Sequence, residues 1–152
     1  MRVKQLVLTF GAIACLATAA DNGPKDSLFQ RLGGMPALRA VVDDFVPRIL
    51  ADARLQPWFG HTAAHPEMAA VYKAHLAEFV CQATGGPCRY SGADMETVHK
   101  GRGITPEAFD AVVEDLVATL VKLNVPEKEQ KQLLGLLAPM RAVIVTKPSA
   151  NQ

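Results

Sequence analysis

The chain has 152 residues, 49% of them hydrophobic and only 6% aromatic. That length supports one domain with a real core rather than two, and the Ala/Leu/Val-rich balance suits packed helices better than a β-sandwich. A formal charge of +1 leaves no electrostatic case for a nucleic-acid partner.

The chain opens as an export signal would. Met1-Arg2-Val3-Lys4 is a short basic region, Leu6 to Ala14 is an apolar run broken only by Thr9 and Gly11, and Leu16-Ala17-Thr18-Ala19-Ala20 offers small residues for cleavage. Residues 1–20 therefore read as a signal peptide, cut after Ala19 or Ala20 and too short to be a comfortable membrane span. Ala12-Ile13-Ala14-Cys15 resembles a lipoprotein box with Ala in its first position, so a lipid anchor through Cys15 is the alternative, and an uncleaved N-terminal helix a third reading. Of 16 basic residues the signal removes Arg2 and Lys4, leaving 14 against 15 acids in an exported, periplasmic chain with no transmembrane span.

Residues 21–26 form a spacer, 27–146 the domain and 147–152 a polar tail. Ser27 to Leu32 predicts a short helix ended by Gly33-Gly34. Pro36 opens a longer helix through about Leu50, whose apolar face is Leu38, Val41, Val42, Phe45, Val46 and Ile49, with Pro47 expected to kink it. A turn-rich connector carries Trp58-Phe59 together with His61 and His65, both read as exposed, His65 at a helix cap. Pro66 begins a third helix to about Thr84, placing Met68, Tyr72, His75, Leu76 and Phe79 on one face. A phenol and an imidazole one turn apart on an otherwise apolar face would each need a buried partner if they served packing alone. The competing reading has His75 at the edge of that face, in solvent.

Cys81 and Cys88 are an even pair in an exported chain, flanking a glycine-proline turn. A disulfide closing so short a loop would stabilise by roughly 2–3 kcal/mol, and two buried free thiols are the alternative. Asp94 to Gly103 then carries His99 on a brief helix, with Met95 four residues earlier and Val98 beside it. A neutral imidazole held among apolar side chains is what an iron or zinc centre needs, although a lone histidine on such a face more commonly packs in a core. Thr105-Pro106 caps a helix to about Leu123 with Phe109, Val112, Val113, Leu116, Val117 and Leu120 inward. A last helix, Glu127 to about Val145, presents Leu133, Leu134, Leu136, Leu137, Met140 and Ile144. The fold class is all-α.

The order of these helices, the string Leu28-Phe29-Gln30-Arg31-Leu32-Gly33-Gly34, the pair Gly85-Gly86, the run Tyr90-Ser91-Gly92 through Val98-His99-Lys100, and Phe109 to Leu116 together resemble a truncated haemoglobin of the first group. The resemblance covers residues 27 to about 145 and implies a two-over-two helical sandwich around haem b, an iron protoporphyrin. It implies His99 as the proximal iron ligand and Phe59 as the aromatic stacked on the porphyrin. Phe79, Met95, Phe109, Val112 and Met140 would line the apolar remainder, with Tyr72, Val46 and Leu76 on the ligand side. The family's distal tyrosine position is Val46 here, so Tyr72 becomes the candidate donor to a bound ligand. His75 matches a position from which some relatives send a histidine to the iron, and Met140 stands where such relatives attach a histidine to the haem. Lys73, Arg89 and Arg102 are candidates to pair with haem propionates.

Three functions are compatible with these residues. The first is a haem protein binding oxygen or nitric oxide, with oxygen transport, or a nitric oxide dioxygenase-type activity supplied by an unidentified electron donor, as its uses. The second is a bis-histidyl haem protein for electron transfer or sensing. The third is a haem-free helical interaction module in which both histidines are core residues.

Overall fold

The structure, a computed structural model, describes residues 26–147. The signal read over residues 1–20, nearly all of the spacer and most of the tail lie outside the described residues. Eight α-helices are present among them, with no strand: α1 Leu28–Arg31, α2 Gly34–Ala51, α3 Gln56–Ala64, α4 Pro66–Ala83, α5 Met95–His99, α6 Pro106–Lys122, α7 Glu127–Leu137 and α8 Arg141–Ile144. No described helix is long and apolar enough to cross a membrane.

The helix starts follow their caps. Ser27 accepts from the Gln30 amide at 3.3 Å, Asp94 from Thr97 at 2.9 Å and Thr105 from Ala108 at 3.2 Å, each satisfying an amide that has no intrahelical partner. Gly33, at φ 101°, makes the left-handed turn between α1 and α2 that a side chain would resist. α2 continues as helix through Pro47. The expected single last helix divides: α7 ends at Leu137, a 3-10 turn carries Ala138–Met140, and α8 completes the chain's helical part. Pro139 supplies the reason, since it brings no N–H to the ladder.

α2 packs on α4 and on α6, and α6 packs on α7, the two-over-two arrangement. The main core joins Phe45, Ile49, Leu55, Ala111, Leu116, Leu120 and Leu133. Phe29, Leu38 and Cys81 form a second cluster under α1, and Val42, Val46 and Ala77 a third between α2 and α4. Each fully buried aliphatic or aromatic side chain contributes about 1.5–3 kcal/mol. A polar tie crosses α2 and α6: fully buried Thr119 donates to Asp44 Oδ1 at 3.0 Å and accepts from Arg48 Nε at 3.3 Å, while Arg48 and Lys122 both pair with Asp44. Hydrogen bonds from Lys122 first, then Arg48, hold the Asp44 carboxyl down to about 2.

Candidate functional site: an apolar cavity between two histidines

The helices enclose a cavity of about 680 Å³ whose wall is chiefly apolar. That volume lies within the roughly 300–1,000 Å³ typical of small-molecule and cofactor sites. His99, Met95, Val98, Phe109, Val112, Met140 and Phe59 line it, and so do Tyr72, His75, Leu76 and Phe79 of α4.

His99 ends α5, a helix of five residues that Asp94 caps through both the Thr97 amide and the Thr97 hydroxyl. Gly101, at φ 73°, turns the chain away immediately afterwards. The half-buried imidazole sets Nδ1 2.7 Å from the Met95 carbonyl oxygen. A carbonyl only accepts, so Nδ1 carries a proton, and in the neutral ring the lone pair is then on Nε2. This is how metal-binding histidines are ordinarily oriented, with the second nitrogen donating to a carbonyl or carboxylate.

α4 supplies the other polar groups. Tyr72 is half-buried, and its ring meets Phe59 edge-on at 5.6 Å between centroids. Burial first, and the neighbouring Tyr90 second, push its hydroxyl up to about 12, so it stays a neutral donor. No hydrogen bond among the described residues engages that hydroxyl. His75, one turn on, is exposed on the rim, its ring edge-to-face with Tyr90 at 6.3 Å. It too has no hydrogen-bond partner among the described residues.

Several expectations change here. Val46 does not line the cavity: it is fully buried between α2 and α4, against Ala77 and behind Tyr72 and Leu76. Leu38, Val41, Val42 and Phe45 present α2 to the cavity instead. Trp58 and Phe59 sit on helix α3 rather than on a connector, and Trp58 Nε1 donates to the Arg102 carbonyl at 2.9 Å, tying α3 to the loop after His99. Lys73 pairs with Asp43 at 2.8 Å and Arg89 is an exposed residue away from the cavity wall, so of the three basic candidates only Arg102 lines it. His61 and His65 stack at 4.4 Å outside the cavity, with His65 Nδ1 3.1 Å from Glu67. Tyr90, in the sequence no more than the first residue of a Tyr-Ser-Gly run, belongs to the cavity; being one of two tyrosines in the chain was its only signal. Cys81 and Cys88 are joined as a disulfide, Cα atoms 5.8 Å apart, pinning the end of α4 to the loop that carries Tyr90.

Residues 27–146 match the family model described as bacterial-like globin. The chain belongs to this family. A group 1 truncated hemoglobin of Mycolicibacterium paratuberculosis is 38% identical over 120 residues, covering 79% of this chain and 85% of the relative. Another, from a Synechocystis species, is 40% identical over 105 residues, covering 66% and 81%. Among solved structures, the truncated hemoglobin of Tetrahymena pyriformis in its Fe(III) form superposes with a TM-score of 0.72 at 29% identity, covering 80% of this globin and 99% of that chain. The 2/2 hemoglobin of a Synechococcus species, in the cyanomet state with covalently attached heme, gives 0.69 at 31% identity, covering 78% and 98%. The globin is thus of the truncated, two-over-two kind, and membership implies haem binding. Its own residues fit such a group: an apolar slot of suitable size, one imidazole whose Nε2 has no hydrogen-bond partner among the described residues, and a neutral phenol of α4 lining the same cavity.

Proposed function

We propose that this globin holds haem b through His99 Nε2 and binds a diatomic ligand, oxygen or nitric oxide, on the side of the cavity governed by Tyr72. A haem, when bound, supplies an iron with a position open to such a ligand. The carrying observation is the His99 Nδ1–H bond to the Met95 carbonyl, which fixes the tautomer and leaves Nε2 as the only basic nitrogen of that ring. Met95, Phe59, Phe79, Phe109 and Val112 would exclude water from the plate's faces. Tyr72 would hold a proton at its hydroxyl oxygen for the ligand, kept there by burial. Met140 offers a thioether and no imidazole, so the haem is held without a covalent bond at that position.

A bis-histidyl state is the second reading. His75 stands on the same cavity as His99 with its ring nitrogens uncommitted among the described residues. Export is part of the proposal as well: the basic-apolar-small order of residues 1–20 supports it, and the Cys81–Cys88 bond suits an oxidising compartment.

Reconstitution with haem and an optical spectrum test this. A Soret band, with a broad high-spin band in the ferrous form, is the expected result. Split visible bands of low-spin iron would favour the bis-histidyl state, and failure to take up haem would overturn both.

A further inference from the structure

The loop after α4 places one aromatic ring against His75, and it is built to do so. Tyr90 stands two residues beyond the disulfide-bonded Cys88. Its amide donates to Gln82 Oε1 at 2.8 Å, and the next residue, Ser91, donates its hydroxyl to Glu78 at 2.9 Å. Gln82 and Glu78 both belong to α4, so the loop is tied along the same helix that carries His75. The Tyr90 ring then packs edge-to-face with Phe79 at 5.3 Å and with His75 at 6.3 Å. Its phenol folds back over Gly92: a Cβ at that position would overlap the Tyr90 hydroxyl oxygen and Cζ. Gly92 has no left-handed φ to explain it; what it provides is room for the ring.

We infer that Tyr90 is a positioning residue for His75, a latch that retains the imidazole at the cavity rim and leaves the distal position to Tyr72. The exposure of the two α4 groups carries this. His75 is exposed at the rim while Tyr72, one turn earlier, is half-buried. A T-shaped aromatic pair in the 4.5–7 Å range is attractive beyond the area it covers. Any movement of His75 inward must give up that contact. The inference rests on the reading of His99 as the iron ligand.

The test uses the haem-reconstituted protein and its Tyr90→Leu, Tyr90→Phe and Gly92→Ala variants. In Tyr90→Leu the ratio of low-spin to high-spin iron rises about two- to tenfold, the weight of one aromatic pair. Gly92→Ala, which displaces the ring without removing it, moves the ratio in the same direction. Tyr90→Phe keeps the ring and leaves the ratio as in the parent. Adding His75→Leu to Tyr90→Leu abolishes the low-spin fraction. In the haem-free protein, the His75 ring-proton resonances shift in Tyr90→Leu and not in Tyr90→Phe. An unchanged or lower ratio in both Tyr90→Leu and Gly92→Ala overturns the latch, as does a low-spin fraction that survives loss of His75. Failure of the parent protein to take up haem, or a His99→Ala variant with an unaltered spectrum, overturns the iron-ligand reading instead.

Discussion

His99 and Met95 are joined by one hydrogen bond, from imidazole Nδ1–H to the main-chain carbonyl at 2.7 Å. It spans a single helical turn and needs no second element, so the geometry of the proposed iron ligand is written into five consecutive residues and the Asp94 cap before them. Replacing His99 by Ala therefore removes the ligand while sparing the fold, because the side chain is only half-buried. Haem dissociation should accelerate by more than tenfold, since even loss of a supporting partner of a ligand costs about 10–100-fold in affinity. Transfer of haem to an apo-globin acceptor measures this, and added imidazole should restore part of the parent spectrum.

Tyr72 makes a different prediction because its proposed role works through a proton. Tyr72→Phe keeps the edge contact with Phe59 and deletes the donor. A hydrogen bond of about 0.5–1.5 kcal/mol net corresponds to an increase in oxygen dissociation rate of roughly 2- to 12-fold. With the hydroxyl pushed up from 10.0 to about 12, the rate in the parent protein should stay flat from pH 6 to about pH 10. The same shift has a stability consequence. The folded state keeps this proton to higher pH than the unfolded chain, so the contribution is complete below pH 10 and is lost as pH rises from about 10 toward 12. Stopped-flow displacement of oxygen by carbon monoxide reads the first effect, and denaturant titration between pH 8 and 12 reads the second.

Much of this site is legible in the order of the amino acids. The Thr105-Pro106 start is local chemistry, readable from a few residues, and the apolar stripe of α4 puts Tyr72 and His75 together. What the sequence hides is which face meets what. The periodicity of α2 gives an apolar side but not how that side is shared: Val46 goes to α4, Val42 is shared between α4 and the cavity, and Val41 and Phe45 take the cavity. Helix α3 buries none of its residues fully and contains Pro57 and Gly60, so no stripe announces it. Lys73 is committed to Asp43, thirty positions earlier in the chain, a pairing that only the packing of α2 on α4 creates.

The Asp44 tie predicts an acid limit. Its carboxyl is held from 3.8 down to about 2, chiefly by Lys122 and Arg48. A depressed folded value means stability present above the unfolded pKa and lost as pH falls from about 4 toward 2. Asp44→Asn should therefore lower the unfolding midpoint at pH 7, with the gap from the parent narrowing as pH falls from about 4 toward 2. A gap that stays constant from pH 7 to pH 2 would assign the loss to packing around Thr119 rather than to charge. Thermal unfolding followed by circular dichroism in haem-free protein gives the comparison without a cofactor contribution.

Gly86 tests how tightly the disulfide loop is seated. An added Cβ there would lie 2.6 Å from Cys81 Sγ, 2.8 Å from the Cys81 carbonyl oxygen and 2.8 Å from Cδ2 of Phe29. Two of these neighbours cannot swing aside: the carbonyl is helix backbone that already accepts from the Gly86 amide at 2.8 Å, and Phe29 is 1% exposed. Overpacking of this kind costs about 1–3 kcal/mol, whereas Gly135, with nothing within 4 Å of its Cβ position, should gain from the same change through helix propensity, by up to about 1 kcal/mol. Reduction of the Cys81–Cys88 bond should cost a further amount of about 2–3 kcal/mol, from the entropy of a short open loop. Because Gly86→Ala crowds the sulfur itself, its penalty and that of reduction should be less than additive, as expected for neighbours that share a contact. Urea unfolding of the two variants, with and without a dithiol reductant, checks all three numbers, and full additivity would show that the clash lies with Phe29 and the carbonyl alone.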